Sequence, residues 1–291
     1  MATEYNVASL LAMTTQSPDV ADVSFTSRLL PLVCACAQIL TPLLPMIGIG
    51  RTIGDQSNAV RTLVTPAGWA FAIWGALYTG TLVFALYQAL PAQRDNALIA
   101  RLRGPAAGAF FGNALWAAYV QVAGLGVPSV AIILFTLLCL LKSYRILAAW
   151  PSGFTTGERW CAVLPLTALA SWLTVASIVN ITATLRAHGV YFGGETPFIA
   201  AAVVVVGGAI ASAALVAGRG CPPYALVFFW ALSAIWGSGG QRSALVAIGV
   251  VIATLLVLIG TITGLRNGGF AHWLGRGVPR ATDEIRNRAR V

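Results

Sequence analysis

The chain is a series of long apolar runs, separated by short segments that hold most of its prolines, glycines and arginines. About 20 apolar residues in a helix are enough to cross a hydrocarbon core, and most of the runs come close to that length. They predict an all-α integral membrane protein of about eight transmembrane helices. The predicted spans are residues 29–48, 67–90, 105–124, 127–146, 160–183, 197–217, 222–237 and 244–264.

The seventh run is short for a span. Its residues, 222–237, rise only about 24 Å in a helix, less than the roughly 30 Å of a hydrocarbon core. It begins at Pro222 and Pro223 and leads into the glycine-rich segment 237–240. The sequence leaves open whether this helix crosses the membrane fully or only in part.

Composition excludes a soluble domain. Hydrophobic residues make up 58% of the chain and charged residues only 9%, whereas a soluble domain carries about 25% charged residues. The net charge of +9 does not indicate a nucleic-acid partner, because the charges cluster in the loops and in the C-terminal tail. The partner that this composition predicts is the lipid bilayer.

The distribution of basic residues predicts the topology. With eight spans, one side of the membrane collects fourteen lysines and arginines and the other side only Arg51, Arg61, Arg186 and Arg242. The positive-inside rule then places both termini in the cytoplasm of a plasma (inner) membrane protein. A seven-span alternative changes this asymmetry little and stays open. Residues 1–28 are interpreted as an exposed N-terminal arm, and residues 265–291 as a basic cytoplasmic tail that is either solvated or bound to anionic head groups.

The residues of a hydrolytic or metal enzyme are missing. All nine acidic residues lie in predicted loops or tails, and there is no Ser/His/Asp set, HExxH motif or phosphate-binding loop. The five cysteines are scattered, and the Cys34-x-Cys36 pair has no neighbouring ligand cluster, so neither a metal site nor a disulfide framework is expected. The chain is therefore not predicted to be an enzyme, although this argument does not cover photochemistry or chemistry on a bound cofactor.

Aromatic and amide side chains recur at helical spacing on three of the predicted helices. Facing lipid is costly for amides, so these side chains should point into the helical bundle. Two interpretations stay open: hydrogen-bonded packing between helices, or the wall of a pocket for a flat apolar ligand. Trp150, Trp160 and Trp273 flank the spans and are predicted to be interfacial anchors. The spaced set is Phe71, Trp74 and Tyr78 on the second helix, Asn113 and Trp116 on the third, and Trp172, Ala176 and Asn180 on the fifth.

These residues resemble motifs of the TspO/translocator protein family, the tryptophan-rich sensory proteins (TspO/MBR). Pro66, Trp69 and Phe71, continued by the W-x-x-L-Y of residues 74–78, resemble the start of that family's second helix. The pattern N-x-x-W of residues 113–116 resembles its third helix, and W-x3-A-x3-N of residues 172–180 its fifth. The resemblance covers about residues 29–185, which would form a TspO-like five-helix bundle.

Two departures suggest a divergent and extended member. Trp69 and Trp74 are five residues apart where the family usually has six, so one of them should face differently. The family ordinarily has five helices, and residues 196–264 add three more. Small residues on the sixth helix favour close helix packing. Trp230 and Trp236 on the seventh helix would either extend the pocket or form an oligomer contact.

The resemblance implies a membrane-embedded sensor, carrier or regulator. The family binds tetrapyrroles such as protoporphyrin, sterols and synthetic aromatic ligands between its helices, beneath the loop that joins the first two, and often forms homodimers. A tetrapyrrole would then be a ligand and not a required cofactor. An arginine of the covering loop, between Arg51 and Arg61, would pair with a porphyrin propionate. The implied ligand-binding residues are Trp69, Phe71, Trp74, Tyr78, Asn113, Trp116, Trp172, Ala176 and Asn180.

Two other classes of function remain open. One is a transporter of an uncharged apolar solute that uses the short seventh helix as a gate. The other is a structural subunit of a larger membrane complex, in which the tryptophans serve only for packing.

Overall fold

The computed structural model describes residues 25–190 and 197–275, and within these ranges it contains helices and turns but no strand. The all-α class is confirmed. The predicted N-terminal arm up to residue 24 and the tail from residue 276 lie outside the described residues. The eight long helices are α1 Phe25–Leu40, α2 Ile73–Ala89, α3 Ala97–Ala123, α4 Val127–Ala148, α5 Leu164–Ala187, α6 Pro197–Ala217, α7 Pro222–Ile235 and α8 Ala244–Gly264.

Six helical stretches within the described ranges are long and apolar enough to cross a membrane. They include α1, α2, α4, α5, α6 and α8, whereas α3 and α7 do not meet the same criteria. An integral membrane protein is therefore supported, and the count of eight crossings stays a prediction. The stretches are Thr26–Ile47, Gly68–Ala89, Val127–Ala148, Thr156–Ala187, Pro197–Ala217 and Ala244–Leu274.

Helix α3 starts earlier than the sequence predicts. The predicted span began at residue 105, but the Asn96 side chain accepts hydrogen bonds from the backbone N–H groups of Leu98 and Ile99 and caps a helix that begins at Ala97. Arg103 consequently lies inside the helix and is buried. Its guanidinium donates to the Gln88 side chain at 3.1 Å and to the Gln93 carbonyl at 2.9 Å, which ties α3 to the end of α2.

The first five helices form a closed ring. Helix α1 packs between α2 and α3, α3 packs on α4, α4 packs on α5, and α5 returns to α2. Helices α6 and α7 then cover the outer side of α5. As a result α5 is the most enclosed of the candidate spans, with 78% of its apolar window buried inside the protein.

Helices α6 and α8 form the closest helix pair in the described part of the chain. Their backbones meet at glycines: a Cβ added to Gly208 would lie 2.6 Å from Ala253, and one added to Gly260 would lie 2.7 Å from the carbonyl oxygen of Ser212. Lipid supplies no hydrophobic driving force between helices, so close van der Waals contact of this kind provides much of their association.

The end of α8 folds back onto the bundle. After a wide turn, the short helix Phe270–Leu274 places the Trp273 ring on Phe154, stacked at 5.6 Å. The Trp273 indole also donates to the carbonyl of Arg219 at 3.0 Å. Trp273 and Trp150 are both buried, so their prediction as interfacial anchors is wrong, because each packs inside the protein. Trp160 is 65% exposed, which agrees with the prediction.

Candidate ligand-binding cleft

A cleft lies between α2, α3 and α5, beneath the loop that joins α1 to α2. Its empty space is about 590 Å³, which includes the mouth and the part open to the surroundings. The cleft is almost wholly apolar, and aromatic rings form part of its lining. The residues that line it are Ile53, Ser57, Pro66, Phe71, Trp74, Trp116, Val120, Leu125, Trp172, Val175, Ala176, Val179, Asn180 and Ala183.

Trp172 organises the aromatic wall. The ring of Phe71 lies 6.4 Å from it and that of Trp74 5.9 Å from it, both at 87°. The ring of Tyr78 also packs on Trp74, with ring centroids 5.1 Å apart. Edge-to-face contacts of this kind are favourable because they place the positive edge of one ring on the negative face of another. The wall is therefore rigid and pre-formed.

Three lining residues carry a buried polar atom that has no hydrogen-bond partner among the described residues: Trp116 Nε1, Trp172 Nε1 and Asn180 Nδ2. The two indoles can only donate a hydrogen bond. The Asn180 carbonyl oxygen is already engaged, by Ser129 Oγ at 2.9 Å and Thr184 Oγ1 at 3.3 Å. A buried donor without a partner costs about 1–3 kcal/mol, and a bound acceptor that reached one of these enclosed atoms would recover that energy.

The loop between α1 and α2 forms the roof of the cleft. Its short helix, Ile53–Ala59, begins at Thr52, whose hydroxyl accepts from Asp55 N at 3.1 Å. The loop is held to α3 by a hydrogen bond of 2.8 Å from Arg51 N to the carbonyl of Gln121. Gly50 permits this approach: its φ is +74°, and an added Cβ would lie 2.4 Å from that same carbonyl oxygen. A residue with a side chain could not sit there unless the loop moved.

The loop arginines lie beside the cleft and do not line it. Arg61 donates to Asn58 Oδ1 at 3.1 Å and to the carbonyl of Pro66, a lining residue, at 3.3 Å. Arg51 is exposed. The pairing of either with a ligand carboxylate stays a prediction.

The structure brings six of the nine predicted site residues together in the lining and places the other three elsewhere. Tyr78 packs on Trp74, as described above. Asn113 donates to Gln38 Oε1 at 3.3 Å, and Gln38 in turn bonds to Thr81. This chain of polar groups links α3, α1 and α2. Asn113 thus joins helices, whereas Asn180 both joins α5 to α4 through Ser129 and lines the cleft. The six lining residues are Phe71, Trp74, Trp116, Trp172, Ala176 and Asn180.

Trp69 faces the added helices. Its ring meets that of Trp230 on α7 at 4.9 Å and 85°, and the Trp230 indole donates to the carbonyl of Ala70 at 3.2 Å. The backbone N–H of Ala67 also donates to the carbonyl of Ala234, at 3.0 Å. Helix α7 therefore holds the segment that leads into α2. This contact accounts for the five-residue spacing, since Trp74 faces the cleft and Trp69 faces α7.

Several lining residues were not predicted from the sequence. Val175, Val179 and Ala183 each follow a predicted site residue of α5 by three positions. Residues three apart on a helix share a face, so extending the row W-x3-A-x3-N by this step would have found them. Ile53 and Ser57 belong to a loop and gave no comparable signal.

The fold and the cleft define an all-helical membrane protein with a pre-formed apolar cavity between its helices and a loop over that cavity. The chain matches the family described as TSPO-like protein over residues 29–263 and belongs to that family. The match continues through α6, α7 and nearly all of α8, so the helices beyond the five-helix ring lie within the region matched. No curated protein and no solved structure matches the chain.

Proposed function

We propose that this protein binds a flat, apolar ligand bearing hydrogen-bond acceptors, such as a tetrapyrrole or a sterol-like molecule, in the cleft between α2, α3 and α5. It would act as a sensor, carrier or regulator. The observation that carries the proposal is the coincidence of an aromatic wall with the unpaired donors of Trp116, Trp172 and Asn180 in one apolar space.

Each part of the site accounts for one property of the ligand. The rings of Phe71, Trp74 and Trp172 offer stacking and edge contacts to a planar molecule. The unpaired donors favour a ligand with carbonyl, carboxylate or hydroxyl oxygens, because a purely apolar ligand would leave them unsatisfied. Family membership agrees with ligand binding as the general role.

The test is a titration of the purified protein in detergent with protoporphyrin IX, followed by quenching of tryptophan fluorescence. Wild-type protein should show saturable quenching at about one ligand per chain. Asn180→Leu and Trp172→Phe each remove one donor and should weaken binding by about three- to tenfold, the value of one ordinary hydrogen bond.

Two variants serve as matched controls. Asn113→Leu makes the same substitution on α3 away from the lining, and Trp160→Phe makes it at an exposed tryptophan. Both should bind within twofold of wild type. Equal weakening by Asn113→Leu and Asn180→Leu would contradict the proposed site. Saturable binding that is the same in all variants would place the ligand elsewhere.

A second ligand separates the contribution of the carboxylates to binding from that of the flat ring. Protoporphyrin dimethyl ester keeps the flat ring and loses both carboxylates. If loop arginines pair with propionates, the ester should bind more weakly, and Arg61→Gln should reduce that difference. Flux of the ligand into sealed proteoliposomes, with no stoichiometric binding in detergent, would favour the transporter instead.

A further inference from the structure

A second surface, away from the cleft, combines strong positive charge with an apolar wall. It is an open groove between the C-terminal ends of α4 and α6, bounded by the start of α3 and by the turn after α6. Its empty space is about 1730 Å³, including the part open to the surroundings. Four basic residues line it, Arg101, Lys142, Arg145 and Arg219, and the described lining includes no acidic residue.

The charges and the apolar positions are arranged in layers along α4. Leu138 and Leu141 precede Lys142 and Arg145 by one helical turn each, on the face that lines the groove. Leu138 is 65% exposed, as expected for a side chain that faces lipid. The groove thus has an apolar wall suited to acyl chains. Its rim of cations lies one helical turn nearer the end of α4 than that wall.

Trp150 lines the groove beneath Arg101. The Arg101 guanidinium lies over its ring, 5.6 Å from the centroid, in the geometry of a cation–π contact. The Trp150 side chain is only 8% exposed. Its indole N–H has no partner among the described residues. An unsatisfied donor next to gathered cations again favours an anion that accepts hydrogen bonds.

The backbone of Arg219 is held in an unfavourable conformation. Its φ is +54°, the only positive value found among the non-glycine residues described, and it stands between Gly218 and Gly220. The left-handed region is costly for a residue with a Cβ. A glycine at this position would avoid that cost.

Tyr144 packs against the turn around Arg219. Tyr144 donates to the carbonyl of Ala214 at 3.1 Å, and a Cβ on Gly218 would lie 1.8 Å from the Tyr144 hydroxyl. Arg219 Nη1 lies 3.4 Å from Nδ1 of His272. The side chain of Arg219 is exposed at the edge of the groove.

From these observations we infer that the groove is a binding site for an anionic phospholipid. The phosphate lies among Arg101, Lys142, Arg145 and Arg219, and the acyl chains lie along α4 and α6. The four basic side chains line the groove without a carboxylate among the described lining residues, so a phosphate there would form charge-assisted hydrogen bonds with them. The exposed apolar wall selects a lipid over a soluble phosphate. Basic pockets between membrane helices are known to bind such head groups. The site does not depend on the function proposed for the cleft.

Native mass spectrometry of the full chain tests this inference, comparing phosphatidylglycerol with phosphatidylcholine. The variant Lys142→Gln/Arg219→Gly removes two rim charges. The control Arg94→Gln/Arg266→Gln removes two exposed charges that do not line the groove. Wild-type protein should prefer phosphatidylglycerol, and each rim charge removed should lower its affinity by about fivefold. The control should stay within twofold of wild type.

Three results would overturn the inference. They are equal binding of the two lipids by wild type, equal losses in the two double variants, and displacement of phosphatidylglycerol by glycerol phosphate at matched concentration, which would indicate a site for a soluble anion. Arg219→Gly relieves the strained backbone, so the variant should keep its thermal unfolding midpoint. If it does not, Lys142→Gln alone, on the exposed surface of α4, should still lower the affinity about fivefold.

Discussion

Trp74 and Trp172 stand nearly perpendicular, with ring centroids 5.9 Å apart. This contact joins α2 to α5 and so closes the ring of five helices. The same two rings form part of the wall of the cleft. The contact that completes the bundle therefore also shapes the site, and changes to it should affect stability as well as binding.

Replacement of Trp172 by leucine should destabilise the protein. The change removes two edge contacts, each worth about 0.5–1.5 kcal/mol, so we expect a loss of about 1–3 kcal/mol in the free energy of unfolding. Unfolding in detergent, followed by circular dichroism, measures it. Trp160→Leu is the matched control and should change stability by less than about 0.5 kcal/mol. Similar losses in both variants would mean that the aromatic contacts of Trp172 contribute little.

Asn113→Leu should affect stability alone, whereas Asn180→Leu should affect binding and also stability, because Ser129 on α4 loses its acceptor. Asn113→Leu leaves the Gln38 side chain with one partner fewer inside the bundle, and we expect it to cost about 1–3 kcal/mol of stability. Asn180→Leu should weaken ligand binding as described above. A double-mutant cycle with Gln38→Leu provides the check, because a coupling close to zero would contradict a hydrogen bond between Asn113 and Gln38.

The α6–α8 contact should be sensitive to a single methyl group. In Gly208→Ala, the new Cβ would lie 2.6 Å from Ala253, so the helices must separate, and overpacking of this kind costs about 1–3 kcal/mol. Gly75→Ala on α2 is the control. Its Cβ meets nothing within 4 Å, and the change should be neutral or stabilise by up to about 1 kcal/mol. Thermal unfolding midpoints distinguish the two, and equal midpoints would argue against the close helix contact.

Two loop glycines with the same backbone conformation provide a test of whether the loop over the cleft controls ligand access. Gly50 has φ +74° and lies against Gln121, whereas Gly48 has φ +83° and open space around it. Alanine at either position incurs the cost of a positive φ, but only Gly50→Ala should push the loop away from α3. We expect faster dissociation of protoporphyrin IX from Gly50→Ala than from Gly48→Ala, measured by stopped-flow fluorescence. Identical rates would mean that the loop does not control access.

Cys221 should resist thiol reagents over the usual range of pH. It is fully buried in the turn between α6 and α7, and burial raises the pKa of its thiol to about 12. The thiolate is the reactive form, so the native protein should react slowly up to about pH 10, and fast only after unfolding. The test uses a variant whose other four cysteines are alanine. Ala59→Cys, added at an exposed loop position of a fully cysteine-free variant, provides the rapidly reacting control.

The fold was largely predictable because the signal for a membrane helix is local. The length and apolar character of each run are enough to predict it, and seven of the eight predicted starts lie within about a helical turn or two of the observed ones. The start of α3 was missed because Arg101 and Arg103, followed by Gly104 and Pro105, interrupt the apolar run within the first turns of the helix that Asn96 caps. Trp150 and Trp273 were misassigned because the burial of a residue at a helix end depends on what folds back over it.

The site was predictable in part, for a related reason. Residues on regular helices reveal their common face through spacing, which is how Phe71, Trp116 and Asn180 were found. Asn113 shows the same periodicity, and nothing in one helix tells whether a neighbouring helix presents a partner such as Gln38. The contribution of Ile53 depends on the path of a loop, which the α-helical period does not describe.

Val175 and Val179 face two spaces at once. One is the cleft, and the other is a small apolar gap beneath α6 and α7, whose empty space of about 340 Å³ includes the part open to the surroundings. A single layer of side chains separates the two spaces. Two valines of α5, and not the tryptophans, thus limit how far a ligand in the cleft can extend towards α6. A relative with smaller residues at these positions would have a single chamber reaching from α2 to α6, and could accept a molecule with a long apolar substituent without any change in its aromatic wall.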